Sequence, residues 1–179
     1  TGGNVIVGGG QLNKVTTALN TVTATTTNPT KATTTTTDWI TIVDEGNGWA
    51  VCNFSLSWTS ATGAANGSGQ YLWTLPGGYQ FNSTYHPFNT ATTMATDGSN
   101  VKSIIPGGIC HMSGGNWTGQ GVLVAHDSTH FKIAEYPGSQ WSNSSTKVSP
   151  DNNGFQSDAY WAFNGANSCW SGSFRFKKA

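Results

Sequence analysis

From Asp38 onward the chain alternates apolar and polar residues with a period of two, the signature of half-buried strands. In Trp49–Trp58 one face carries Ala50, Cys52, Phe54, Leu56 and Trp58, while Asn53, Ser55 and Ser57 lie on the other. Near the C-terminus Trp170, Gly172, Phe174 and Phe176 alternate with Ser171, Ser173, Arg175 and Lys177. The same reading predicts strands at Trp39–Val43, Tyr71–Leu75, Val101–Ile105, Gly121–Ala125, Phe131–Tyr136 and Ala159–Phe163. Turn chemistry separates them: Glu45-Gly46-Asn47-Gly48, Pro76-Gly77-Gly78, Asp97-Gly98, Pro106-Gly107-Gly108, Pro137-Gly138 and Asn152-Asn153-Gly154. No ten-residue window shows a capped helical stripe. The pattern predicts an all-β fold, an antiparallel β-sandwich or jelly roll over 38–179.

Residues 1–37 break this pattern. Thr fills thirteen of the twenty-three positions from Val15 to Thr37, with one Pro and no aromatic. Thr is β-branched and poor in helices, and such a stretch cannot bury a core by itself. It reads as an extended stalk, the end of a shaft or a linker, ahead of a β head.

Composition narrows the function classes. Only 9% of the 179 residues are charged, and eight basic residues balance eight acidic ones. A nucleic-acid binder needs a basic stripe to displace counterions, and none exists here. No apolar run approaches the length of a bilayer span, so no membrane insertion is expected. The core must rest on eight Trp, eight Phe and five Tyr, which bury large areas per residue. A chain lean in aliphatics and in charge gains by burying surface against copies of itself. Cys52, Cys110 and Cys169 lie far apart without a C-x-x-C pair, and read as small buried hydrophobes.

Candidate chemistry is sparse. No phosphate loop, dinucleotide fingerprint, zinc-protease helix or nucleophile elbow occurs, and Arg175 is the one arginine. Asp44 and Glu45 are adjacent turn residues rather than opposed carboxylates of the kind glycosidases use. His126-Asp127-Ser128-Thr129-His130 sits between two predicted strands. A hairpin there sets His126 beside His130, as a polar tip, a ligand contact or, with a further ligand, a metal site. Three neighbours in one turn cannot form a nucleophile–base–acid line. No enzyme, cofactor or metal is expected. Trp117, beside Asn116, and Trp141, close to Tyr136, lie among small polar residues in predicted loops. Rigid aromatics next to amides and hydroxyls suit recognition of a polar ligand such as a sugar, unless both rings fold back onto the core.

Two segments carry a family resemblance: Gly48-Trp49-Ala50-Val51-Cys52-Asn53-Phe54-Ser55-Leu56-Ser57, and, after a small-residue link, Tyr71-Leu72-Trp73-Thr74-Leu75-Pro76-Gly77-Gly78-Tyr79. With the closing strand Gly172–Phe176 they resemble the C-terminal head of bacteriophage tail-fibre receptor-binding proteins and of phage-derived trimeric bacterial adhesins. The family pattern then continues Arg-Pro, where this chain has Gln80-Phe81, so no anchoring role for that Arg carries over. The resemblance implies a homotrimer of β-sandwich heads on a stalk, at a virion fibre tip or on a cell-surface fibre. The resemblance says nothing about the receptor. The loop residues themselves, Asn116, Trp117, His126, His130, Tyr136 and Trp141, suggest a cell-surface glycan or other surface receptor as the partner. The alternatives are a monomeric lectin-like module of a larger secreted protein or a structural trimeric cap without ligand.

Overall fold

The computed structural model describes residues 14–90, 103–114, 117–135 and 163–179, and two short strands ahead of them. Those two, β1 (Ile6–Val7) and β2 (Gly10–Gln11), pair with each other. Nine more strands follow: β3 (Lys14–Ala18), β4 (Val22–Ala24), β5 (Thr37–Asp44), β6 (Trp49–Trp58), β7 (Tyr71–Thr74), β8 (Ile104–Gly114), β9 (Trp117–Ala125), β10 (His130–Glu135) and β11 (Ser168–Lys177). They form one antiparallel sheet in the order β3-β5-β6-β11-β8-β9-β10-β7-β4, curled into a half-barrel. The curl follows from connectivity. β3 and β4 lie at opposite edges of the sheet yet are joined by Leu19–Thr21. Four residue steps span at most about 14 Å, so the two edges must approach.

Asn20 fixes that corner. It is almost fully buried; its side-chain amide donates to the carbonyls of Trp39 (3.0 Å) and Ser55 (2.8 Å). Its backbone N–H donates to Asp38 Oδ1 at 2.8 Å, and Lys31 Nζ donates to both the Asn20 carbonyl and Asp38 at 2.6 Å. The Thr-rich segment expected as a stalk therefore supplies, from Lys14 on, both edge strands of the sheet. Thr27 and Thr30 then bridge to Ser68 and Ala65, and Ala32 reaches the core. No break in the sheet coincides with the expected boundary at 37/38.

The concave face holds the core, and it is aromatic. β6 alternates without a fault: Ala50, Cys52, Phe54, Leu56 and Trp58 are buried and their neighbours half-buried. β11 pairs with β6 along ten residues, which sets Trp170, Phe174 and Phe176 beside that row. Trp73 of β7 and Phe131 of β10 come in from the far half; their rings stack at 6.2 Å, and Phe131 meets Phe54 at 5.2 Å. Gly172 is required where the packing is tightest. A Cβ there would lie 2.6 Å from the Ile109 carbonyl and 2.9 Å from the Phe54 ring. Cys52 and Cys110 are buried free thiols and Cys169 is half-buried; burial raises all three above the usual thiol range.

Two sequence expectations are corrected along β8 and β9. Pro106-Gly107-Gly108, read as a turn, is a bulge within β8, where the register jumps between Ile104↔Val124 and Ile109↔Val122. Gly107 takes φ +71°, the left-handed conformation that suits glycine at such a bulge. The segment 111–120, read as a loop, pairs as strand on either side of residues 115 and 116: His111 opposes Gln120 and Gly114 opposes Trp117. A bulge keeps the sheet's hydrogen bonds on both flanks, so glycines alone did not end the strand. The expected strand Ala159–Phe163 lies outside the described residues up to Phe163, which is buried against Trp170 at 4.9 Å.

Candidate functional site

The convex face divides into two halves of different character. Over β3, β5, β6, β11 and β8 it is open. Register aligns Val15, Val43, Val51 and Arg175 in one row, then Thr17, Thr41, Asn53, Ser173 and Ile109, then Trp39, Ser55, Ser171 and His111. Val15, Trp39 and Ile109 are exposed. Hydroxyls pair along the face: Thr37 Oγ1 with Ser55 and Ser57 at 2.8 Å, Thr17 with Thr41 at 3.2 Å. Charge gathers at one rim. There Arg175 makes a bidentate contact to Glu45 (2.7 and 3.1 Å) and lies 4.3 Å over the Trp49 ring. Lys178 bonds Asp44 at 2.6 Å. The rest of these rows carries no Asp, Glu, Lys or Arg.

Over β9, β10 and β7 the convex face is covered. Phe131 and Ile133 point into the core, so the pleat turns Lys132 to the convex side with Leu72 and Val124. All three are buried, as are Gln70, Asn89 and His126. Lys132 Nζ donates to Gln70 Oε1 at 3.3 Å. Removal from water lowers the Lys132 pKa from 10.5 to about 8. His126 follows Val124 on the same face, diagonal to Lys132 across the hairpin. Burial pulls its pKa below the usual imidazole value and the nearby Lys132 charge adds to this, while Asp127 and a hydrogen bond to the Asn89 backbone oppose it. Its Nδ1 has no hydrogen-bond partner among the described residues.

The predicted His126–His130 hairpin forms. The His126 and Asp127 N–H groups both donate to the His130 carbonyl, at 2.9 and 3.3 Å. Asp127 organises the turn: Oδ1 accepts from the N–H of Thr129 (2.7 Å) and of His130 (2.8 Å), and His130 Nδ1 sits 2.9 Å from both its oxygens. Burial opposes ionisation of this carboxyl, but the Thr129 amide and the His130 ring outweigh it and hold its pKa below the usual carboxylate value. The turn is anchored from outside as well, because Leu75 and Phe81 donate to the carbonyls of Thr129 and Ser128. His126 is thus buried and His130 half-exposed. Trp117 opens β9, where a loop was expected; Asn116, Tyr136 and Trp141 lie outside the described residues.

Among the described residues, no three His, Cys, Asp or Glu side chains gather as a metal site. Asp38, Asp44, Glu45 and Asp127 are each held by a cation or a turn. Sequence reading missed Lys132. Its one signal was a charged residue between Phe131 and Ile133, which alternation assigns to solvent whenever the second face is bare. Comparison of the chain with family models, with curated proteins and with solved structures finds no match in any of the three.

Proposed function

We propose that this chain is the head of a trimeric fibre, on a virion tail or a cell surface, that attaches by binding a glycan or another outer-surface polymer and does no catalysis. The observation that carries the reading is the open convex half: five strands wide, clear of charge except at one rim, and set with exposed Val15, Trp39 and Ile109. Identical copies can bury such a face against one another without stranding charges. In this reading the half-barrel is the jelly-roll-like sandwich of the head, closed at the Asn20 corner, and the residues ahead of Lys14 belong to the stalk. Ligand contact falls to Asn116, Trp117, His130, Tyr136 and Trp141, whose aromatics and amides suit a sugar's apolar faces and hydroxylated rims, while His126 is buried and offers a ligand no surface. Three weak sites on one trimer gain avidity.

Solution mass by light scattering after size exclusion, at low micromolar concentration, tests the assembly. A value near three times 18.8 kDa is expected. A monomer refutes the trimeric head; glycan binding by that monomer would make it a lectin-like module instead. For the trimer, cell-envelope binding should weaken when Trp117 and Trp141 are both replaced by Ala. A folded trimer that binds neither envelopes nor glycan arrays leaves a structural cap.

A further inference from the structure

The covered half of the sheet holds a nucleophile beside an electrophile. Lys132 is 2% exposed and Gln70 is 1% exposed, and the amine is hydrogen-bonded to the carbonyl oxygen of the Gln70 amide at 3.3 Å. With a pKa of about 8, a sizeable share of this amine is neutral in mildly alkaline water, where an ordinary lysine is charged. Leu72 and Val124 flank it on the same face. Packing holds both partners in place, so the entropy of bringing them together is already spent.

A base stands diagonally across the hairpin from Lys132. The His126 ring bonds to the Asn89 backbone in the sense that favours its protonated form, which makes the ring the donor there. The neutral ring then carries its lone pair on the other nitrogen, and the buried Nδ1 has no hydrogen-bond partner among the described residues. Diagonal neighbours on a hairpin stand roughly 7–8 Å apart at Cα, within reach of a long side chain.

We infer that Lys132 and Gln70 form an intramolecular isopeptide bond, a self-catalysed cross-link between β10 and the start of β7. The neutral amine attacks Gln70 Cδ. A bond forms from Lys132 Nζ to Cδ, the bond from Cδ to the amide nitrogen breaks, and one amine proton passes through His126 to the departing nitrogen, which leaves as ammonia. No oxidant, metal or other reactant enters. The position gives the bond a purpose in the fold. β10 and β7 share two register pairs, His130↔Thr74 and Phe131↔Trp73, whereas β10 and β9 share five and β11 and β6 share ten. The link closes the sheet where its backbone ladder is shortest, which suits a head that bears load on a fibre.

The test is the intact mass of the denatured 179-residue chain after incubation at about pH 9, where a lysine of this kind is neutral. The expected mass is one ammonia below the sequence mass, with proteolysis releasing the Gln70 peptide joined to the Lys132 peptide. The loss should vanish in Lys132→Met and in Gln70→Met, and appear more slowly in His126→Gln. The wild-type result needs no variant, so misfolding of one does not obscure it. An unchanged mass overturns the inference. So does an ammonia loss that maps to an Asn-Gly pair such as Asn47-Gly48 or Asn66-Gly67, where a cyclised backbone gives the same mass change.

Discussion

The two halves of the convex face share a sheet, a core and a pleat, yet they are different surfaces. On the open half every residue between the rim charges and His111 is neutral, and none is fully buried. The covered half buries a lysine and an imidazole behind Leu72 and Val124. Desolvation makes the difference. An exposed Thr or Ser keeps its ordinary properties, whereas a buried amine or imidazole loses hydration and shifts toward its neutral, reactive form. Chemistry is therefore to be sought on the covered half, and association on the open one.

The comparison breaks most visibly in the packing. Phe54→Ala removes a ring that meets Phe131 and Trp73 beneath both halves, and should cost about 3–5 kcal/mol. Leu72→Ala, on the covered convex face, should cost about 2–5 kcal/mol because it too leaves a cavity. Val15→Ala, on the open half, should stay within about 0.5 kcal/mol. Urea unfolding of the three variants measures this. If Leu72→Ala costs no more than Val15→Ala, the covered half is not a packed layer and the distinction fails.

Much of this architecture was readable in the sequence, and particular residues show why. Alternation in β6 and β11 located both strands and their buried faces, because one face of each meets an aromatic core and the other meets water. The hairpin at His126–His130 was legible from its polar run between apolar strands. Three features were not. β3 and β4 offer the core only Ala18, Val22 and Ala24, too few for a legible apolar stripe, and they join the sheet through backbone pairing and the Asn20 corner, which depend on residues far along the chain. Pro106-Gly107-Gly108 has the same composition whether it ends a strand or bulges within one. Lys132 looked like a solvent residue because local sequence does not say that a second layer covers its face.

Acid should act on the two buried imidazoles before it acts on the carboxylates. His126 and His86 both have pKa values pushed below 6.5, in each case chiefly by burial. His86 Nε2 also accepts the Lys177 N–H at 2.9 Å, which a protonated ring cannot do at that nitrogen. The unfolded chain then binds more protons than the folded one below about pH 6.5. The histidine contribution is full above that pH and falls as pH drops through it toward the lower folded values. Asp44 and Asp127 have depressed pKa values despite burial, through Lys178 and through the Thr129 amide respectively, so their contribution is lost only below about pH 4. Urea midpoints between pH 7 and pH 5 should decline for the wild type and flatten for a His86→Gln, His126→Gln double variant. An equal decline in both would place the sensitivity elsewhere.

The smallest stability effects belong to the open half, and they sharpen the comparison by separating folding from association. Ser173 and Asn53 are opposite each other in the central row, between Thr41 and Ile109. Ser173→Ala removes a hydroxyl from an exposed site and should move unfolding by no more than about 0.5 kcal/mol. Asn53→Lys should be similarly mild for the isolated chain, because a lysine on a half-exposed strand can extend its amine into water. In an assembly that covers this row, the same lysine is buried in each copy without a carboxylate, and a buried unpaired charge is expensive. Light scattering should then show Ser173→Ala with the wild-type mass and Asn53→Lys near 18.8 kDa, with both melting close to their monomeric stability. A wild-type mass for Asn53→Lys would mean that copies meet through another surface, and that the neutral face has a different occupant.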